Sequence, residues 1–468
     1  MGIGSRSKKK KKVVKKGGID RISTLPDEIV LHILGLMPTL DSVRTSVLSK
    51  RWNNMWNLVP NLDLDDRRDF PDEHDDDDCN PFARFVCAVL YARNIDIAKF
   101  SLSVVRPPYF AIDLAVIDDW FCAVVRRKVV ELDFEFCMGE EFVFTIPRCL
   151  LMCKTLRVLK LAVWDFDFPT DLPASGCFPS LKVLHVALSG NNLFQMENLF
   201  SCCSVLEDLI IDGNVDIGDA DIGYNFNVSV PQVKTLNISF HVWLGRKGSR
   251  VFEYDSEQFE TRINVYIDAP KLEKLDLGRD GFTNYVLMRA KSLVNASIDV
   301  KDSRREHPPH FPSCATALLV AVSNVRYLSL VAPWSKDWLL PAFDNLKQLK
   351  LVLVHGKYWE LLPEFLCSAP NLEDLVLENK SQGEKQNARC EWSLPKDVPT
   401  CLSSHLKTIS ISGFRGLQAE REIAKYLLKN GSCLDKMLIY TDCVFALRKF
   451  HKEFSMFQRK GRVEFIQM

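Results

Sequence analysis

The sequence predicts an α/β chain: a short three-helix head, an irregular solenoid of repeated strands, and a closing βαβ unit. Three observations predict it. A compact apolar segment of helical periodicity lies near the N-terminus. A strand-like pattern then returns many times between Leu156 and Ile411. A strand–turn–helix–strand order closes the chain. At 468 residues the chain is too long for one ordinary compact core, which agrees with a head joined to an array.

The head begins after a basic stretch. Residues 1–21 carry nine basic groups against one acid, Asp20. Residues 1–19 are expected to be a disordered basic tail, and "KKKKKVVKK" matches a nuclear-import address or an anionic-surface contact. In the head, Pro26 suits a first helical turn and Asp27 and Glu28 favour the positive end of the helix dipole. Ile29, Ile33, Leu34 and Met37 follow at helical spacing, and Pro38 ends that helix. Thr39 or Asp41 can cap a second helix, and Ser49 a third that carries Trp52 and Trp56. Three helices in about 40 residues rarely hold themselves together without a metal, a disulfide or a partner. An unburied apolar face is therefore expected on this unit.

"DRISTLPDEIVLHIL" and "RTSVLSKRWNNMW" resemble an F-box in its plant form. The resemblance places the F-box over 20–62 and implies docking on a Skp-type adaptor, and through it a cullin and a RING protein. The residues that match the family's adaptor-facing pattern are Leu25, Pro26, Ile29, Leu34, Val47, Leu48 and Trp52. Leu40 departs from the polar or basic residue common there. The strongly acidic "DFPDEHDDDDC" then suggests a solvated linker over 63–82.

The repeats run from about 97 to 389. Each places an apolar residue, two variable ones, an apolar one, a variable one and an apolar one. "TLRVLKL", "SLKVLHV", "KLEKLDL" and "NLEDLVL" are clear copies, and "KFSLSV" and "VVELDF" are plausible earlier ones. First positions, from Leu156 to Leu406, lie 21 to 39 residues apart. This resembles an irregular leucine-rich-repeat array. One strand cannot bury its apolar face alone, but stacked copies share a continuous core. "RINVYIDAP" in the longest interval reads as an inserted strand. The residue between the last two apolar positions should face outward on the concave side. That row reads Lys160, His185, Ile210, Asn237, Asp276, Ser297, Ser329, Lys350, Val376 and Ser410. Being mixed and nearly free of aromatics, it fits a protein surface better than a nucleic-acid groove.

At the C-terminus, Gly413 and Gly416 frame a turn, Ile423 and Leu427 mark a helix face, and Asn430–Gly431 stops it. "DKMLIYT" resumes a strand, and the last residues read as a helix and a final strand. The region resembles the FBD domain of plant F-box proteins, placed over 390–468. The matching positions include Trp392, Pro399, Cys401, Leu402, Leu406, Gly413, Phe414, Gly416, Leu427, Leu428, Asn430 and Met437. A terminal cap for the open sheet is the expected role.

Lys plus Arg equals Asp plus Glu at 60 each, so no global basic field points to nucleic acid or an anionic membrane. The 15 cysteines form no CxxC pair and accompany no secretory signal, which fits a reducing compartment. His307 and His310 lack further donors at metal-ligand spacing, and no phosphate-loop or hydrolase motif is present. No cofactor, metal site or catalytic residue is expected. Taken with the resemblance to plant F-box/FBD/leucine-rich-repeat proteins, the sequence implies a non-catalytic substrate receptor of a Skp–cullin–F-box ubiquitin ligase, in nucleus and/or cytoplasm. The alternative is a leucine-rich-repeat scaffold not coupled to degradation.

Overall fold

The computed structural model describes residues 22, 24–70, 80–105, 112–136, 143–163, 166–169, 176–189, 193–216, 224–243, 263–278, 283–299, 311–331, 339–353, 361–380, 395, 397–441, 454 and 462–467. The lysine run Lys8–Lys16, the aspartates Asp75–Asp78, the pair His307 and His310, and Trp392 lie outside them.

The head forms as its proline punctuation dictates. Pro26 precedes the helix Asp27–Gly35, and Pro38 precedes the helix Thr39–Arg44. Neither helix receives a side-chain cap. Thr39 instead accepts a hydrogen bond at Oγ1 from the backbone N–H of Asp63, at 2.8 Å. The second helix runs on into a 3₁₀ turn, Thr45–Val47, and the expected third helix is a 3₁₀ segment, Trp52–Leu58. Ser, Asn and Trp are weak helix formers, and the chain here closes with i→i+3 bonds such as Trp52 N–H to Ser49 O at 3.0 Å. Val30, Leu34, Trp52, Met55 and Val59 make a small core of their own.

Fifteen strands of the described residues then form one sheet, every neighbouring pair parallel. In chain order they are Asn61–Asp65, Lys99–Val104, Glu131–Phe136, Val158–Val163, Val183–Ser189, Asp208–Asp216, Thr235–Trp243, Lys274–Gly278, Asn295–Asp299, Tyr327–Val331, Gln348–Leu353, Asp374–Asn379, Thr408–Ser412, Lys436–Thr441 and Arg462–Gln467. Spatial order follows chain order, the mark of a solenoid. The first apolar position of each copy is buried, Leu156, Leu181, Val233 and Leu272 completely. The alternating pairs, such as Leu275 and Leu277, are buried as well. Both early copies, "KFSLSV" and "VVELDF", are strands of this sheet.

Three features differ from the sequence reading. The sheet starts at Asn61, so the boundary drawn at 63 cuts its first strand. The proposed linker is folded at both ends because its polar residues are helix caps. Asp65 Oδ1 accepts from the N–H of Arg67 (2.9 Å) and Arg68 (3.1 Å), and Asn80 Oδ1 accepts from Ala83 N–H at 3.1 Å. Asp66 and Asp69 are buried, each accepting a backbone N–H. The inserted strand Ile263–Asp268 exists but joins a separate three-stranded parallel sheet with Tyr224–Ser229 and Thr283–Arg289. As expected, the C-terminal unit adds its strands to the same sheet in unbroken register, Val376 opposite Ser410 and Ser410 opposite Leu438. The βαβ crossover is present: the helix Gln418–Asn430 joins two parallel strands.

Candidate functional site

Two surfaces concentrate the features expected to matter. The first is the outer face of the head. Ile29 is 46% exposed, Leu36 76%, Val47 88% and Leu48 64%. Ile22, Ile33 and Leu58 are exposed too. Seven large apolar side chains in water on about 40 residues is a higher density than an ordinary surface carries. The head's own core is filled by Val30, Leu34, Trp52, Met55 and Val59, and nothing in the described residues covers the rest.

The structure divides the seven residues that the sequence assigned to this surface. Pro26, Ile29, Val47 and Leu48 are exposed, and Leu25 is half-buried. Leu34 and Trp52 are not on the surface; they are 1% and 4% exposed and form the head's own core. Helical spacing placed Leu34 beside Ile33 without saying which points inward. Ile22, Ile33, Leu36 and Leu58 were missed, though Leu36 follows Ile29 at i+7, a signal the sequence did hold.

The second surface is the face of the sheet that carries the expected concave row. The ten residues of the expected row are direct cross-strand neighbours in one ladder: Lys160 opposite His185, His185 opposite Ile210, and so on to Val376 opposite Ser410. Nine of them are half-buried. Ser329 is buried at 8% exposure and adds little surface. The same row extends to Asp63, Ser101 and Asp133 on one side and to Leu438 and Glu464 on the other.

Charges on this face are matched across strands. Lys160 Nζ lies 3.3 Å from Glu131 and 3.7 Å from Asp133, and Lys99 reaches Glu131 at 2.9 Å. Burial pushes the Glu131 carboxyl up, but the two ammonium groups outweigh it and hold it below the usual range. Glu378 behaves in the same way between Lys350 and Lys380. His185 Nε2 meets Asp212 Oδ2 at 2.8 Å. The face thus mixes apolar with polar residues, and the charges named on it are paired.

One strand-entry row carries alternating charge. Glu207 sits between Lys182 (2.5 Å) and Lys234 (2.8 Å), and Glu373 between Lys347 and Lys407, both at 2.7 Å. The flanking ammonium groups draw each carboxyl down to about 2. The contribution of these clamps is therefore fully present above the ordinary glutamate value and is lost as pH falls through about 2. In a carbon-detected NMR titration both side chains should stay ionised at pH values where free glutamate is protonated. The double substitution Lys182→Met/Lys234→Met should return Glu207 to the ordinary range and leave Glu373 unchanged.

Among the described residues no group of three or more His, Cys, Asp or Glu side chains could hold a metal ion, and no helix is long and apolar enough to cross a membrane.

Sequence comparisons match three stretches of the chain to known families. The F-box domain matches residues 22–64, the leucine-rich repeats described as "FBD-associated F-box protein At5g56370, LRR repeats" match 117–301, and the FBD domain matches 394–439. Among curated proteins, the F-box/FBD/LRR-repeat protein At5g56420 of Arabidopsis thaliana is 31% identical over 440 residues, which is 90% of this chain and 91% of that protein. The F-box/FBD/LRR-repeat protein At2g26030 of the same plant is 31% identical over 468 residues, 95% of this chain and 98% of that protein. The F-box/FBD/LRR-repeat protein At4g26340, also from Arabidopsis thaliana, is 28% identical over 443 residues, 92% and 95% of the two chains.

Proposed function

We propose, from the premise that this chain belongs to the plant F-box/FBD/leucine-rich-repeat family, that it is the substrate-recognition subunit of a Skp–cullin–F-box type ubiquitin ligase. In this reading the exposed face of the head binds a Skp-type adaptor, which leads to a cullin and a RING protein. The concave row holds the target protein. The chain does no chemistry itself. It raises the effective concentration of target lysines near a ubiquitin-loaded enzyme, so that an intermolecular transfer proceeds as if intramolecular. The basic run Lys8–Lys12, Lys15 and Lys16 supports a placement in nucleus and/or cytoplasm.

The observation that carries the reading is the apolar face at Ile29, Leu36, Val47 and Leu48 beside a buried head core. A face of that size on a folded unit asks for a partner. The test is a binding titration of the full chain against a Skp-type adaptor. Val47→Asp is the informative variant, because a side chain 88% exposed can change without disturbing the fold. A charge placed in a buried contact should weaken binding about a hundredfold or more. Wild-type chain that is folded yet binds no Skp-type adaptor would leave the uncoupled scaffold as the better account.

A further inference from the structure

The head and the solenoid have separate apolar cores, and the seam between them carries polar contacts beside the packing of Trp56. Only Val59 and Pro60 connect the last 3₁₀ segment, ending at Leu58, to the first strand at Asn61. At this seam lies Arg93, just past the helix Pro81–Tyr91, with 1% of its surface exposed. Its Nη1 donates to the carbonyl of Val59, and its Nη2 donates to the carbonyl of Trp56 at 3.0 Å. The guanidinium carbon stands 5.8 Å from the centre of the Trp56 ring. Trp56 is the head residue that packs against the solenoid core.

A second arginine braces the first. Arg127 donates through Nη2 to the carbonyls of Leu90 (2.8 Å) and Arg93 (2.9 Å), and through Nη1 to Ala123 O at 2.9 Å. Arg93 thus reaches the carbonyl end of the 3₁₀ segment Trp52–Leu58, and Arg127 those of the helices Pro81–Tyr91 and Leu114–Arg126, where the helix dipole is negative. Burial, with the Arg127 charge adding to it, pulls Arg93 down to about 10. A guanidinium kept this way is expensive: its hydrogen bonds go to carbonyls, and its charged neighbour has the same sign. An apolar side chain would join two apolar cores with less desolvation. What the guanidinium adds is direction, since a planar fork aimed at two fixed carbonyls resists rotation in a way that methyl groups do not.

We infer that Arg93 is a positioning residue that fixes the angle of the head on the solenoid, and with it the placement of the adaptor-facing surface relative to the concave row. The hydrogen bond from Asp63 N–H to Thr39 Oγ1, at 2.8 Å, pins the other side of the same seam. The functional consequence rests on the receptor reading above: a ubiquitin-loaded enzyme is then presented to a limited zone of whatever the concave face holds.

Two measurements on the full chain test this. The first needs no partner. Spin labels carried by genetically encoded residues at Asn54 in the head and Lys182 in the solenoid report the distance between the two parts. The wild type should give one narrow distribution, and Arg93→Met a broadened or shifted one, with the far-ultraviolet spectrum unchanged. Arg93→Lys keeps the charge but has no planar fork, so it should broaden the distribution as well. It serves as the readout if the methionine variant does not fold. A folded variant with the wild-type distribution overturns the inference. The second measurement maps which of the chain's own lysines are modified in a ligase reconstituted with a Skp-type adaptor, cullin and RING protein. Arg93→Met should bind the adaptor within about threefold of wild type yet spread modification over more lysines. An identical lysine map in the variant overturns the inference, whereas a wild type that fails to assemble removes the receptor reading and leaves the distance result to decide about Arg93.

Discussion

Replacing Glu420 with alanine should destabilise the C-terminal end of the solenoid by about 3 kcal/mol or more, the sum expected when several donors to one buried carboxylate lose their acceptor. Glu420 is 2% exposed in the helix Gln418–Asn430. Its Oε2 accepts from the N–H groups of Arg415 (2.9 Å) and Leu417 (3.0 Å), and its Oε1 accepts from Asn379 Nδ2 at 2.8 Å. Asn379 ends the strand Asp374–Asn379, so one carboxylate ties the repeat sheet to the helix that follows it. Gly413 makes this approach possible. Its φ is +70°, and a Cβ there would fall 2.2 Å from Asn379 O. Because solenoid contacts are local, the loss should appear as early hydrogen exchange in 408–441 while the central strands stay protected. A loss under about 1 kcal/mol would show that water replaces the carboxylate without penalty.

Glu420 also makes a pH prediction whose sign is fixed. Burial raises its carboxyl above the ordinary 4.5, although the N–H donors and Asn379 pull it back. A raised folded value means that its contribution is fully present below the unfolded value and is lost as pH rises through the folded one. The wild type should therefore lose stability relative to Glu420→Gln between mildly acid and neutral pH. Denaturant titrations of the pair at several pH values would reveal a difference that grows in the opposite sense if the carboxyl were depressed.

The second large effect lies at the other end of the array. Phe134→Ala should cost about 3–5 kcal/mol, the range for emptying a buried aromatic site. Phe134 is fully buried, with ring centroids 4.9 Å from Phe144, 5.0 Å from Phe121 and 5.8 Å from Phe136. The neighbours come from the helix Leu114–Arg126, the same strand and the short strand Phe144–Thr145, so no single one can collapse into the space. Chemical denaturation should show a lower midpoint, and Phe134→Leu should recover part of it. An unchanged midpoint would mean that the cluster repacks around the gap.

The sequence alone determined the repeat. Leu159 and Leu161 alternate across a strand, and only a stacked copy can cover them, so the row from Lys160 to Ser410 followed from period-two geometry before any coordinates. It also determined the start of the head's first helix at Pro26, because proline fixes its own φ wherever it stands. Tertiary structure decided what depends on long-range contact. Leu34 and Val47 look alike in sequence, yet one is buried and the other 88% exposed, since burial depends on which neighbour arrives. Aspartates at 65, 66 and 69 read as solvated charge, but a cap or a buried acceptor exists only once the chain supplies the N–H. Arg93 carried no sequence signal at all. Its partners Trp56 and Val59 lie more than thirty residues away, and only the fold brings a cation to their carbonyls.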